Sequence, residues 1–298
     1  MQYTKVPLSI ADQITRLTGR GLIINDVPFA ESKLNNISFY RLRAYTYPFQ
    51  NNSDPNHLFI KEVSFEEIIS FYEFDRDLRL LVFDAIERIE IALRTRIVYY
   101  YALTHGSHWF ENKNIYRNRN YFNNDISSLD KEIDRSDEEF IKHYKSTYSS
   151  PIRPPAWMSL EVATLTTLSK MFQNLSRSPE KKKIAKSLSL DFLILENWMH
   201  VLSNVRNICA HHSRLYNRTL SQSLILPANT FGNSWIKNRA VDNAKMYAVM
   251  CAIVYLLDRI NGIHDFRSRL ISLFAKYPIV HPRLLNFPAN WDSEIFWR

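Results

Sequence analysis

Phe71, Phe74, Leu78, Leu81, Ala85, Ile89, Leu93, Ile97 and Tyr100 recur at three- and four-residue intervals, the spacing that gathers apolar side chains on one side of an α-helix. Ser64 followed by Glu67 has the form of a capping box, so the pattern predicts one long helix that begins after Ser64 and ends near Gly106. Its polar positions, Asp75, Arg76, Arg79, Glu87, Arg88, Glu90, Arg94 and Arg96, mix signs at intervals that permit (i, i+4) pairs and read as a solvated face.

The same periodicity continues elsewhere. Residues 7–50 hold two short helical patterns broken at Gly19 and Gly21, then a dense aromatic stretch from Phe39 to Phe49, and residues 51–56 punctuate the chain as a polar loop. Residues 116–134 read as a surface connection with a helical turn region over 122–133, and residues 136–144 as a short helix. Pro151, Pro154 and Pro155 interrupt the pattern, which returns through residues 158–175. Asp191 is placed to cap a helix whose inner stripe is Leu195, Trp198, Leu202, Val205 and Cys209, and a final helix is expected over 239–261. The chain is therefore expected to be all-α, with a small helical and aromatic subdomain over 1–56, a helical core over 57–275 and an irregular tail over 276–298 that wraps the surface.

Composition narrows the choice of function. Only five glycines are present, which argues against Gly-rich phosphate loops and against a sheet built on many tight turns. The two cysteines, Cys209 and Cys251, form no Cys-x-x-Cys pair, and neither a signal peptide nor an apolar run of the roughly 20 residues that a membrane span needs is evident, so a cytoplasmic protein with no membrane partner is expected. The net charge of +8 favours a polyanionic partner. Lys181, Lys182, Lys183 and Lys186 form a basic run at the start of a helix. Its plain reading is a solvated face, but with RNA as ligand Lys181, Lys182 and Lys183, together with Arg214, become candidate backbone contacts.

The chemistry concentrates in Arg206, Asn207, Ile208, Cys209, Ala210, His211 and His212. An arginine holds a phosphate through paired donors and a histidine moves a proton near neutrality, which are the roles that phosphodiester cleavage requires. Around a helix Asn207 and His211 are separated by about 40° and share a face, whereas Arg206 lies roughly 140° from His211. The two roles converge if a second copy contributes its own residues across a twofold axis. His212 is either structural or a second proton carrier, and Glu87 and Glu90 are candidates to orient Arg206 or a histidine. The plain alternative is that Arg206 and both histidines only hydrogen-bond their neighbours at a helix end. Adjacent histidines diverge on a helix and no His-Glu-x-x-His arrangement occurs, so neither a metal nor another cofactor is expected.

Continuing through Ser213, Arg214, Leu215, Tyr216, Asn217 and Arg218, this segment resembles the signature of the bacterial abortive-infection (Abi) proteins of the AbiD and AbiF type, within the HEPN superfamily. The likeness extends to residues 7–21, 40–49, 72–96 with Glu87-Arg88-Ile89-Glu90, 154–158 and 287–291, and Tyr216 stands where many relatives carry tryptophan. It implies a HEPN-like helical bundle, often a homodimer, in which an arginine and a histidine with four to six residues between them form a metal-independent endoribonuclease site. Arg206 and Asn207 carry over with His211, and His212 also satisfies the spacing. The implied biology is phage defence by RNA degradation. The rival expectation is a noncatalytic RNA- or protein-binding module, or a toxin held inactive by an antitoxin or regulatory RNA.

Overall fold

The computed structural model of the chain describes residues 2, 6–228, 232, 234–238, 240–260 and 262–298, and among these it contains twelve α-helices and no strand. The chain is all-α, as its periodicity and scarce glycine predict. Its contacts divide it into two units, residues 1–79 with 270–282 and residues 80–269 with 283–298. Among the described residues no helix is long and apolar enough to cross a membrane.

In the first unit each helix opens on a side chain that satisfies a free backbone donor. Ser9 accepts from Asp12 N–H at the start of α1 (Ile10–Gly19), Asp26 from Phe29 N–H at α2 (Val27–Asn36), and Ser38 from Arg41 N–H at α3 (Phe39–Thr46). Gly21 turns the chain after α1 at φ +95°, a left-handed conformation that a side chain would strain. The expected capping box opens α4 (Phe65–His105): Ser64 N–H donates to the Glu67 carboxylate (2.7 Å) and Glu67 N–H to the Ser64 hydroxyl (3.2 Å). Ile68, Phe71, Phe74 and Leu78 are buried on its inner side, where Phe74 meets Phe274 and Tyr277.

The second unit contains the rest of α4, which stops at Gly106 (φ +83°), and most of the remaining helices. They are α5 (Arg119–Asp134), α6 (Glu139–Thr147), α7 (Ala156–Ser159), α8 (Leu165–Asn174), α9 (Pro179–Lys186), α10 (Phe192–Ala210), α11 (Met246–Ile260) and α12 (Phe266–Lys276), the last of which continues into the first unit. α8 packs against both α5 and α10. α11 is buried at every position from Met246 to Leu257. The segment expected as an irregular, surface-wrapping tail buries Phe287, Trp291, Phe296 and Trp297, and Trp297 Nε1 donates to the Tyr247 hydroxyl (3.2 Å).

Expectations change for α7 with α8, for α11 and for α4. The helix expected over 158–175 is two, because Thr164 starts α8 as a fresh N-cap and its hydroxyl also donates to Glu132 (2.9 Å). The helix expected over 239–261 begins at Met246, and residues 239 and 261 themselves lie outside the described residues. The polar positions of α4 are not one solvated face: Arg76, Glu87 and Arg88 are exposed, but Asp75, Arg79, Glu90 and Arg94 are buried as two (i, i+4) ion pairs.

Candidate functional site

α10 is held rigidly because its inner stripe, Leu195, Trp198, Met199, Leu202, Val205 and Cys209, is buried. Asp191 caps its start by accepting from Leu193 N–H (2.8 Å), as its place before the apolar stripe predicts. The other end carries the motif. His211 N–H donates to the Asn207 carbonyl (2.9 Å), His212 N–H to Cys209 (3.0 Å) and Ser213 N–H to Ile208 (3.0 Å). The last two bonds form a Schellman cap, and His212 occupies its left-handed position at φ 55°. Both histidines are exposed, so the cap presents two imidazoles to solvent on a fixed backbone.

Arg206 is fixed by α4 rather than by its own helix. Its Nε lies 4.0 Å from Glu90 Oε2, its guanidinium carbon lies 5.5 Å from the Phe83 ring centroid, and its side chain keeps 30% of its exposure. Glu90 is shared: its other oxygen accepts from Arg94 Nη2 (2.7 Å), which also donates to the Ala163 carbonyl (2.8 Å). Two guanidinium groups therefore flank one carboxylate and leave one positive charge in excess. Arg206 Nε is buried and forms no hydrogen bond, so Glu90 orients it by charge at ion-pair range.

Asn207 is anchored to α8, its amide Nδ2 donating to the Thr166 hydroxyl (3.0 Å). That bond fixes Asn207 on the stripe of α10 that it shares with His211, about 40° away. Of the two acidic candidates, Glu90 joins Arg206 and Glu87 is exposed on the outer side of α4. The basic run divides. Lys182 and Lys183 are exposed on α9, whereas Lys181 is buried and points inward to Glu196 and the Leu175 carbonyl (2.6 Å). Burial pushes the Lys181 ammonium down to about 8 against the opposing pull of Glu196. Its place in the lysine run is therefore a matter of sequence only, and the expectation that it contacts RNA does not match its position. Arg214 is half-buried just beyond the cap, with its carbonyl accepting from Arg218 (3.1 Å).

Phe83, Arg94 and Thr166 belong to the site and were not among the residues expected there. The (i, i+4) spacing of Glu90 and Arg94 was the available signal for Arg94. Nothing local marks Phe83 or Thr166, whose roles come from helix packing.

Fold and site together define an all-α protein in which a carboxylate-held arginine and an exposed histidine share the capped end of one helix. The model of the Abi-like protein family matches residues 32–217, more than half of the chain and the whole of the motif, and the chain belongs to that family. Membership points to abortive infection, a form of phage defence. Neither a curated protein nor a solved structure matches the chain.

Proposed function

We propose that the protein is a metal-independent endoribonuclease of HEPN type that cuts RNA in abortive infection, working as a homodimer. The observation that carries this reading is the restraint of Arg206 by Glu90 and Phe83 beside an exposed His211. A cation oriented through its Nε edge keeps its terminal nitrogens for a phosphate, where paired donors stabilise the charge that develops in the transition state.

In this mechanism His211 removes the proton of a 2′-hydroxyl and that oxygen attacks the adjacent phosphorus. The 5′-oxygen leaves with a proton from His211 of the second copy, giving a 2′,3′-cyclic phosphate and a 5′-hydroxyl. Two copies are required because Arg206 and His211 lie roughly 140° apart around α10. Leu80 and Ile91 are exposed within about 20° of one another on α4 and offer a second copy an apolar strip. Asn207, fixed by Thr166, steadies the phosphate or the imidazole.

RNA cleavage that persists in EDTA, ends in cyclic phosphates and falls steeply in Arg206→Ala and His211→Ala is the expected result. RNA affinity retained by the unaltered chain with no product would favour the noncatalytic module, or a toxin awaiting release from an antitoxin or regulatory RNA. Light scattering that reports a monomer at the working concentration of an active preparation would remove the composite site.

A further inference from the structure

A cavity of about 560 Å³ lies among α5, α8 and α10, lined by Tyr121, Asn124, Asp125, Lys170 and His200 with their neighbours. Arg206 and His211 are not among its lining residues. Its chemistry is unusual for a structural void. Asp125 is 6% exposed, and its Oδ2 has no hydrogen-bond partner. Burial pushes this carboxyl up to about 6, although Asn174 and Lys170 favour its charged form. A buried carboxylate oxygen without a donor is costly, and the cost is recovered when a ligand supplies one. Tyr121, 63% exposed, lines the same cavity, and Lys170 also lines it and is exposed.

The cavity and the motif lie along the same faces of two helices. His200, Asn207 and His211 fall within about 40° of one another around α10, and Thr166, Lys170 and Gln173 within about 60° around α8. The stripes meet twice, once where Asn207 donates to Thr166 and once where His200 and Lys170 line the cavity together. From His200 to His211 the rise along α10 is about 16 Å.

We propose that the cavity receives an unpaired guanine base, stacked on Tyr121 and bound through its Watson–Crick edge to Asp125, of an RNA whose backbone follows the α8–α10 stripes to His211. Guanine places two donors side by side, N1–H and the N2 amino group, toward a carboxylate. Uracil places its one donor between two carbonyl oxygens that a carboxylate repels, and adenine and cytosine pair their amino group with a ring acceptor. Aromatic stacking serves any base, so discrimination rests on Asp125 and general affinity on Tyr121. The backbone path rests on the ribonuclease reading, whereas the guanine site does not. A free guanine nucleotide presents the same edge, and the test separates the two sources.

The experiment uses the full chain carrying His211→Ala, so that probes survive, and measures fluorescence anisotropy with the labelled pentaribonucleotides UUGUU, UUAUU, UUCUU and UUUUU. UUGUU is expected to bind at least tenfold more tightly than the others, Asp125→Asn to abolish that preference, and Tyr121→Ala to weaken all four alike. Failure of guanosine monophosphate to displace UUGUU at a hundredfold excess supports the RNA source. Displacement by equimolar nucleotide keeps the guanine site and overturns the RNA path. Equal affinity for the four probes, unchanged by Asp125→Asn, overturns the proposal. Guanine binding by a chain that never cleaves RNA would defeat the ribonuclease reading and the path to His211 but not the guanine site, and cleavage indifferent to guanine would defeat only this proposal.

Discussion

Asp75–Arg79 in the first unit and Glu90–Arg94 in the second are built on the same helix by the same (i, i+4) rule, and they end with different charge. The Asp75 carboxylate accepts from Arg79 and from the Tyr45 hydroxyl, which burial and then the Asp75 charge push well above the usual phenol range, so it remains a donor. Among the ion pairs described there, one cation meets one anion. Glu90 faces Arg94 and also Arg206, so two cations meet one anion, and the second cation stays partly in solvent. The same spacing serves architecture in one place and, on the proposed function, holds a charge for RNA in the other.

Removing the anion of the balanced pair should have the larger energetic effect. Asp75→Ala leaves Arg79 buried without its carboxylate and is expected to cost about 3–5 kcal/mol of stability in urea unfolding. A loss below about 1 kcal/mol would show that Arg79 finds water instead. In the unbalanced cluster the corresponding loss should fall on catalysis: Arg206→Ala should lower RNA cleavage by about 10²–10³-fold with little change in melting temperature. Glu90→Gln should do some of both, destabilising the chain by about 1–3 kcal/mol and reducing cleavage through a disoriented Arg206.

Two smaller effects sharpen the contrast between charges held for architecture and charges held for ligands. The Asp125 carboxyl titrates near 6 in the folded chain and near 3.8 when free, so between these values the folded state holds a proton that the unfolded state has released. This group's contribution to stability therefore falls as pH rises through about 4 to 6 and stays low above it, and Asp125→Asn should flatten the pH dependence of the urea midpoint over that range. An identical slope in the variant would show that the carboxyl is solvated. His212→Gly relieves a left-handed residue in the α10 cap and should add about 1 kcal/mol of stability. If cleavage survives in that variant, His211 alone carries the proton.

Much of this was legible in the sequence where local chemistry decides local structure. The capping box at Ser64, the stripe of α4, the cap at Asp191 and the inner face of α10 all follow from neighbours in the chain. Failures occur where packing overrides them. Leu160 and Ala163 are buried and continue the apolar rhythm through a stretch that is not helical, so two helices read as one. Lys181 looks like its neighbours in the run and differs because Glu196, from α10, and the Leu175 carbonyl wait beside it. Asn and Asp are dense in residues 116–134 and suggested a surface connection with a helical region only over 122–133, yet α5 spans Arg119–Asp134 and Asp125 lines a cavity whose other walls lie far along the chain. Arg206 was legible as chemistry, but its restraint by Phe83 and Glu90 belongs to tertiary structure.

From Met246 to Leu257 every residue of α11 is buried, so those turns are closed to the bulk liquid. Its amide protons can be traded for deuterium only when the second unit opens as a whole. They should be the last in the chain to exchange, and their rate would serve as an internal clock for global opening against which the fraying of the α10 cap can be timed.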